Sequence, residues 1–147
     1  ASTTFSGPVT STNGFIGALT GNIAGTGSIT HTATAINATA TATAAQVATG
    51  YITSTSAAAT AITLPTGTLL GAALGATQGT VFDLYIDNTA GASTVTVAVA
   101  TNGILSTAAA DTAGSFGDLT IASGATGIGR FTLMFSSATA YVFTRTA

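Results

Sequence analysis

The sequence contains no cysteine, no tryptophan, no lysine and no glutamate, and has one methionine and two prolines among its 147 residues. Without cysteine there is neither a disulfide framework nor a thiolate metal site, and the redox compartment stays open. Charged residues make up 4% of the chain, against about 25% in an average soluble domain. The ionic inventory is Asp83, Asp87, Asp111, Asp118, Arg130 and Arg145, with His31 as the lone histidine. Two separated arginines cannot neutralise a run of phosphates, which argues against nucleic acid or an anionic membrane surface as partner. Mean hydropathy is high at +0.60, yet no run of about 18 purely apolar residues occurs. The nearest stretch, GTLLGAALGAT at 67–77, is too short to span a bilayer and follows Pro65. The opening ASTTF has neither the basic nor the apolar region of a signal peptide, and a start at Ala1 fits removal of an initiator methionine.

Scarcity of charge has a structural consequence. Edge strands are commonly guarded by lysine, proline or inward-pointing charge, and those guards are nearly missing here. A large uncharged surface marks contact with a partner, so the chain reads as a component of an assembly.

Three regions differ in texture. Residues 1–30 scatter Gly, Ser, Thr and Asn between isolated large side chains: Phe5, Val9, Phe15, Ile16, Leu19 and Ile23. Glycines at 14, 17, 21, 25 and 27 break any helix and interrupt any long strand. Such a segment cannot bury a core of its own, but extended it can offer each large residue as an anchor. Residues 31–45 read HTATAINATATATAA, in which threonine alternates with alanine and the phase slips at Ile36-Asn37-Ala38. Period-two threonine favours extended backbone with a bulge or bend at the slip, while the alanine content leaves helix as the competing reading.

Residues 51–147 read as a β domain with at least six strand candidates. TVFDLYID at 80–87 is the clearest, placing Val81, Asp83, Tyr85 and Asp87 on one face and Phe82, Leu84 and Ile86 on the other. STVTVAVA at 93–100 alternates Val95, Val97 and Val99 with smaller residues. With Phe131, Leu133 and Phe135, these inward residues form the expected core. Turns are expected at 87–91, 102–103, 123–124 and 136–137, and a short helix within 67–77. The predicted fold is all-β: an extended N-terminal arm and spacer over 1–50, then a small antiparallel β-sandwich or jelly-roll-like knob over 51–147.

Chemistry-bearing residues are few. His31 has no carboxylate nearby in sequence, and no G-x-S-x-G elbow is present. Asp83 and Asp87 with Asn88 offer oxygen ligands for a weak calcium site, but solvent-facing strand positions and an Asx turn account for the same letters. Arg130 and Arg145 are expected to pair with aspartates. Glycines at 25, 27, 127 and 129 match neither a P-loop nor a dinucleotide fingerprint. Neither a catalytic set nor a cofactor or metal site is read from the sequence, and no enzyme is expected.

Two stretches carry a resemblance. TTFSGPVTSTNGFIGALTGNIAG at 3–25 resembles the N-terminal arms of head-associated structural proteins of tailed bacteriophages, in which F-S-G-P-V-x-S-x-N-G-F and T-G-N-[IV]-x-G units recur. The units are Phe5-Ser6-Gly7-Pro8-Val9, Ser11 and Asn13-Gly14-Phe15, then Thr20-Gly21-Asn22-Ile23-Ala24-Gly25. The stretches AITLPTGTLLGA, FDLYIDNTAGASTVTVAVATNG and GRFTLMFSSATAYVFTRT, in that order, are similar to the β-rich knobs of phage decoration and fibre-like proteins. The resemblance implies a capsid decoration (cement) protein, a homotrimer on the outer surface of the virion capsid. Its arm residues Phe5, Pro8, Val9, Phe15, Ile16, Leu19 and Ile23 would grip the major capsid protein.

The receptor-binding head of a phage fibre or spike is the alternative, weakened by 7% aromatics and the lack of tryptophan for sugar stacking. An ice-binding protein would repeat its Thr-x-Thr rows at a fixed period, and a pilin would carry a long N-terminal apolar helix. In the favoured reading the Thr/Ala stretch is a spacer strand between arm and knob. Phe5 and Phe15 in extended chain would reach sites up to ~35 Å apart, each buried ring contributing about 1.5–3 kcal/mol, multiplied by the three arms of a trimer. Deletion of residues 1–30, or Phe5→Ala with Phe15→Ala, is therefore expected to leave a folded trimer that no longer pellets with undecorated capsids. Undiminished binding by the deletion would show that the arm is not the anchor.

Overall fold

The Thr/Ala stretch after His31 forms extended backbone in two pieces, broken where its alternation slips. The computed structural model of the protein describes residues 30–105 and 119–147. Strand β1 runs Thr32–Ala35 and β2 Ala40–Thr41, and Ile36 at the slip turns into the interior, 6% exposed. The stretch ends in a helix, α1, over Ala44–Ala48. Its start is a capping box: the Gln46 N–H donates to the Thr43 hydroxyl at 3.2 Å, and the Thr43 N–H donates to Gln46 Oε1 at 2.8 Å. Strands β3 (Gly50–Thr53) and β4 (Thr60–Thr63) follow, then α2 over Gly67–Leu74, capped by Thr66 and closed by Gly75 in the left-handed conformation. The remaining elements are β5 (Val81–Asp87), β6 (Val95–Ala98), β7 (Gly103–Leu105), β8 (Thr120–Ile121), β9 (Ile128–Ser137) and β10 (Ala140–Arg145).

Two sheets result. The larger has the order β1-β3-β5-β9-β10-β7 and the smaller β2-β4-β6-β8. From β1 to β6 the chain lays strands alternately in the large and the small sheet, so like strands stack in parallel: β1 on β3 on β5, and β2 on β4 on β6. This is a coil of three turns, with α1 and α2 inserted at the same corner of its first two turns and packed together. Only the later strands pair antiparallel, β9 with β5 and β10, and β8 with β6, while β7 lies parallel to β10.

The expected all-β antiparallel sandwich is therefore not what forms. The sheets are mixed and two helices are built into the winding. Period-two alternation assigns a strand its buried face but not its direction, which the connections decide. From β1 to β6 each connection crosses to the other sheet, and such crossovers return the next strand of a sheet parallel. Residues 31–50, expected as a spacer outside the knob, supply β1, β2, α1 and the first residue of β3, so the described domain begins before residue 51.

The interior lies between the sheets. Ile52, Leu84, Ile86, Phe131, Leu133, Phe135, Tyr141 and Phe143 enter it from the large sheet, and Ile62, Val95, Val97 and Ile121 from the small one. Phe131 and Phe143 stack with ring centroids 4.9 Å apart. Of the expected core residues, Phe82 and Val99 are partly buried and pack at its margin. Tyr141 brings a hydroxyl into this interior and satisfies it by donating to the Pro65 carbonyl at 3.0 Å. Burial pushes its pKa up to about 12. Asn88, fully buried, donates from Nδ2 to the carbonyls of Ser93 (2.8 Å) and Ala122 (3.0 Å), tying the β5–β6 turn to the end of β8.

Helix α2 approaches the β9–β10 turn through two glycines one helical turn apart. A Cβ at Gly67 would collide with the Thr139 carbonyl, and one at Gly71 with the Ala138 carbonyl. Backbone cannot yield as a flexible side chain does. Gly71→Ala, which in an open helix would gain about 0.5–1 kcal/mol, is therefore expected to lose about 1–3 kcal/mol by overpacking. The melting temperature should drop by several degrees, and an unchanged or higher value would show that α2 does not seat as described.

Candidate functional site

Parity along the strands of the large sheet leaves one set of side chains facing away from the interior. On β5 this set is Val81, Asp83, Tyr85 and Asp87, the face expected from the sequence. The pairing register then adds neighbours far away in the chain. Tyr51 of β3 lies beside Tyr85, and Tyr85 beside Arg130 of β9. In adjacent rows Asp83 lies beside Thr132, and Thr53, Asp87 and Ile128 form a line. Among the described residues, both aspartates, the histidine, two of the three tyrosines and one of the two arginines are collected on this face. In a chain so poor in such groups, that is the main concentration of chemistry.

Each polar group is held by another. The guanidinium of Arg130 donates to Asp83 Oδ2 at 2.5 Å, and the Thr132 hydroxyl donates to Asp83 Oδ1 at 2.7 Å. Tyr51 donates its hydroxyl to Asp87 Oδ2 at 2.5 Å, while the hydroxyl and N–H of Thr89 reach Asp87 Oδ1 at 2.6 and 2.8 Å. The guanidinium carbon of Arg130 also lies 5.9 Å from the Tyr85 ring centroid. The Arg130 and Asp83 side chains are 45% and 33% exposed, so their ion pair is solvated and contributes little to stability beyond fixing geometry.

His31 joins this face from just before β1. Its Nδ1 is 3.1 Å from the Thr49 carbonyl, and its ring centroid lies 5.9 Å from that of Tyr85, tilted by 44°. Gly50 makes this possible twice over. Its φ of +78° suits glycine, and a Cβ there would collide with the imidazole. The result is a cavity of about 500 Å³ open to solvent, lined by His31, Tyr51, Val81, Phe82, Asp83 and Tyr85.

Asp83 and Asp87 are four residues apart on one strand, about 13 Å at the usual rise, and each is bonded to different partners. They do not form a carboxylate pair, and among the described residues no three metal-ligating side chains converge. The expected arginine–aspartate bridge is found at Arg130 with Asp83. Arg145 donates from Nη1 to the Thr120 carbonyl at 3.0 Å and lies 6.0 Å from the Phe131 ring. Asp111 and Asp118 lie outside the described residues, as do the arm residues Phe5, Pro8, Val9, Phe15, Ile16, Leu19 and Ile23. Sequence reading set Asp83, Tyr85 and Asp87 on one face but missed Tyr51 and His31, whose placement depends on the parallel register of β1, β3 and β5.

Beside the polar rows, at the other end of the same face, runs an apolar one. Val81, Met134, Val142 and Ile104 occupy matched positions on β5, β9, β10 and β7. Val81, Met134 and Ile104 are 55%, 53% and 54% exposed. At the usual strand spacing this row spans about 14 Å.

No protein-family model matches the chain, no curated protein resembles it, and no solved structure matches it.

Both carboxylates are held below the ordinary value near 3.8: Asp83 by the hydrogen bond from Arg130 and then that from Thr132, Asp87 by the hydroxyl of Thr89 and then that of Tyr51. The folded state thus favours their ionised forms. Their contribution is complete above the unfolded value near pH 4 and is lost as pH falls through the lower folded values. Thermal melts between pH 6 and pH 2 are expected to show a decline beginning below pH 4, shallower in Asp83→Asn. An equally steep acid decline in that variant would contradict the assigned bonding.

Proposed function

We propose that the chain is a structural virion protein that decorates the exterior of a bacteriophage capsid as a homotrimer, its N-terminal residues gripping the major capsid protein. The observation that carries the assembly part of this reading is the row Val81–Met134–Val142–Ile104. It sets apolar side chains in register across four strands and leaves three of them half exposed. A chain with 4% charged residues and few guarded strand edges gains by covering such a row. The occupant best matched to it is the same row on two further copies gathered about a threefold axis, because it is apolar, flat and free of charge. Each side chain fully withdrawn from water contributes about 1.5–3 kcal/mol. The capsid part of the reading is supported by the arm motif at 3–25, whose isolated large residues suit extended docking rather than a core.

The polar face supports a non-enzymatic role. Its aspartates are engaged by Arg130, Thr132, Tyr51 and Thr89, which fixes the groups rather than poising them for proton transfer.

Native mass spectrometry at micromolar concentration is expected to give a trimer for the wild-type chain. Met134→Asp combined with Ile104→Asp should give monomer with an unchanged β-type circular-dichroism spectrum. Wild-type protein should pellet with undecorated capsids. A wild-type monomer would overturn the assembly reading, and a trimer in the double variant would move the interface elsewhere.

A further inference from the structure

We propose that the cavity on the β1–β3–β5 half of the large sheet's outer face is a carbohydrate-binding site, taking a neutral sugar unit of a glycan. This goes beyond the decoration reading and rests on the geometry of the face alone. The cavity of about 500 Å³ falls within the range of small-molecule sites. The rings of His31, Tyr51 and Tyr85 line it, with Asp83 and Val81 beside them and Phe82 at its margin on β5. A pyranose has one face of C–H groups and a rim of hydroxyls. Aromatic rings accept the first, and the carboxylate, phenol and imidazole edges bond the second.

Charge decides between ligand classes. Asp83 is already paired with Arg130, so neither an anion nor a cation finds its counter-charge there unengaged. Arg130 also lies against the Tyr85 ring, which further disfavours a second cation there. A neutral polyhydroxylated ligand leaves the pair intact and can use its remaining donors and lone pairs.

The platform is built before any ligand arrives. Thr49 holds the imidazole through its carbonyl, Asp87 holds the Tyr51 hydroxyl, and Gly50 keeps the space that the His31 ring fills. Tyrosine has few rotamers to lose, so such a surface binds with little ordering cost. The apolar row proposed for self-association shares only Val81 with this cavity, because it runs from β5 toward β7 while the cavity runs from β5 toward β1. Both surfaces can therefore be occupied in one particle.

The test uses the full chain on an array of neutral, sialylated and sulfated oligosaccharides. Saturation-transfer NMR follows, with free glucose, galactose, mannose and N-acetylglucosamine at millimolar concentration, and with tetramethylammonium as a cationic probe. Binding to neutral glycans is expected, with transfer to sugar ring protons reduced at least tenfold in Tyr85→Ala and in His31→Ala. Tyr85→Phe, which keeps the ring, should retain most of it. Melting curves establish that each variant is folded, and the two alanine variants serve as independent checks should one unfold. No binding to any neutral glycan, a preference for the sulfated or sialylated set, or transfer only to tetramethylammonium would overturn the proposal. So would full binding in a folded alanine variant. Met134→Asp with Ile104→Asp should bind sugar as wild type does, so failure of the self-association reading is told apart from failure of this one.

Discussion

A single shared interior between two sheets is the constraint on which everything else in this domain depends. Each turn of the coil must deliver one strand face to that interior from the large sheet and one from the small. Ile52 with Ile62, and Leu84 and Ile86 with Val95 and Val97, meet that demand in successive turns. Once the inward set is fixed, the outward set follows without freedom, since neighbouring residues on a strand point to opposite faces. The polar rows and the apolar row are thus consequences of how the core is filled. A slip of one residue in β5 would exchange Leu84 and Ile86 for Asp83, Tyr85 and Asp87. That would bury two carboxylates and abolish the cavity together with the core.

Burial of polar groups is managed with the same economy. Among the described residues, the Tyr141 hydroxyl and Asn88 Nδ2 donate to backbone carbonyls rather than to charge, whereas Asn88 Oδ1 and the Thr60 hydroxyl are buried without a hydrogen-bond partner. The two donors sit where the two sheets are joined: Tyr141 beneath the segment entering α2, Asn88 between the β5–β6 turn and the end of β8. Among the described residues no charged side chain is buried, which keeps the few charges at the surface. There Arg130 and Asp83 hold each other beside the tyrosines.

Much of this was legible from residue order alone. The alternation in 80–87, 93–100 and 127–137 gave the correct buried faces, the glycine and asparagine positions marked the turns, and the slip at Ile36-Asn37-Ala38 marked the bend between β1 and β2. Strand direction was not legible, because alternation looks the same in a hairpin and in a coil. The decisive feature is the crossing from sheet to sheet, which leaves no local signature. Helix α1 did leave one, the Thr43-x-x-Gln46 capping box, outweighed by the threonine periodicity before it. The candidate site was half legible. Asp83, Tyr85 and Asp87 belong to one strand, whereas Tyr51 and His31 arrive from other turns of the coil.

The Thr/Ala stretch takes on a definite role in this structure. Its small side chains form edge strands of both sheets, its one large aliphatic residue, Ile36, plugs the interior, and Thr43 starts the first helix. It is part of the domain, and it leads the chain into the turn of the coil that places His31 over Gly50. The central claim is that the outer face of the large sheet is where this chain meets other copies of itself. Met134, the only methionine in the sequence, stands in the middle of the apolar row. NMR of the chain labelled with ¹³C at the methionine methyl therefore gives one resonance that reports on this surface alone. The account predicts that this resonance shifts or broadens as concentration rises from sub-micromolar to millimolar, and becomes shielded from a soluble paramagnetic probe. A sharp, unshifted resonance equally open to the probe throughout that range would contradict it.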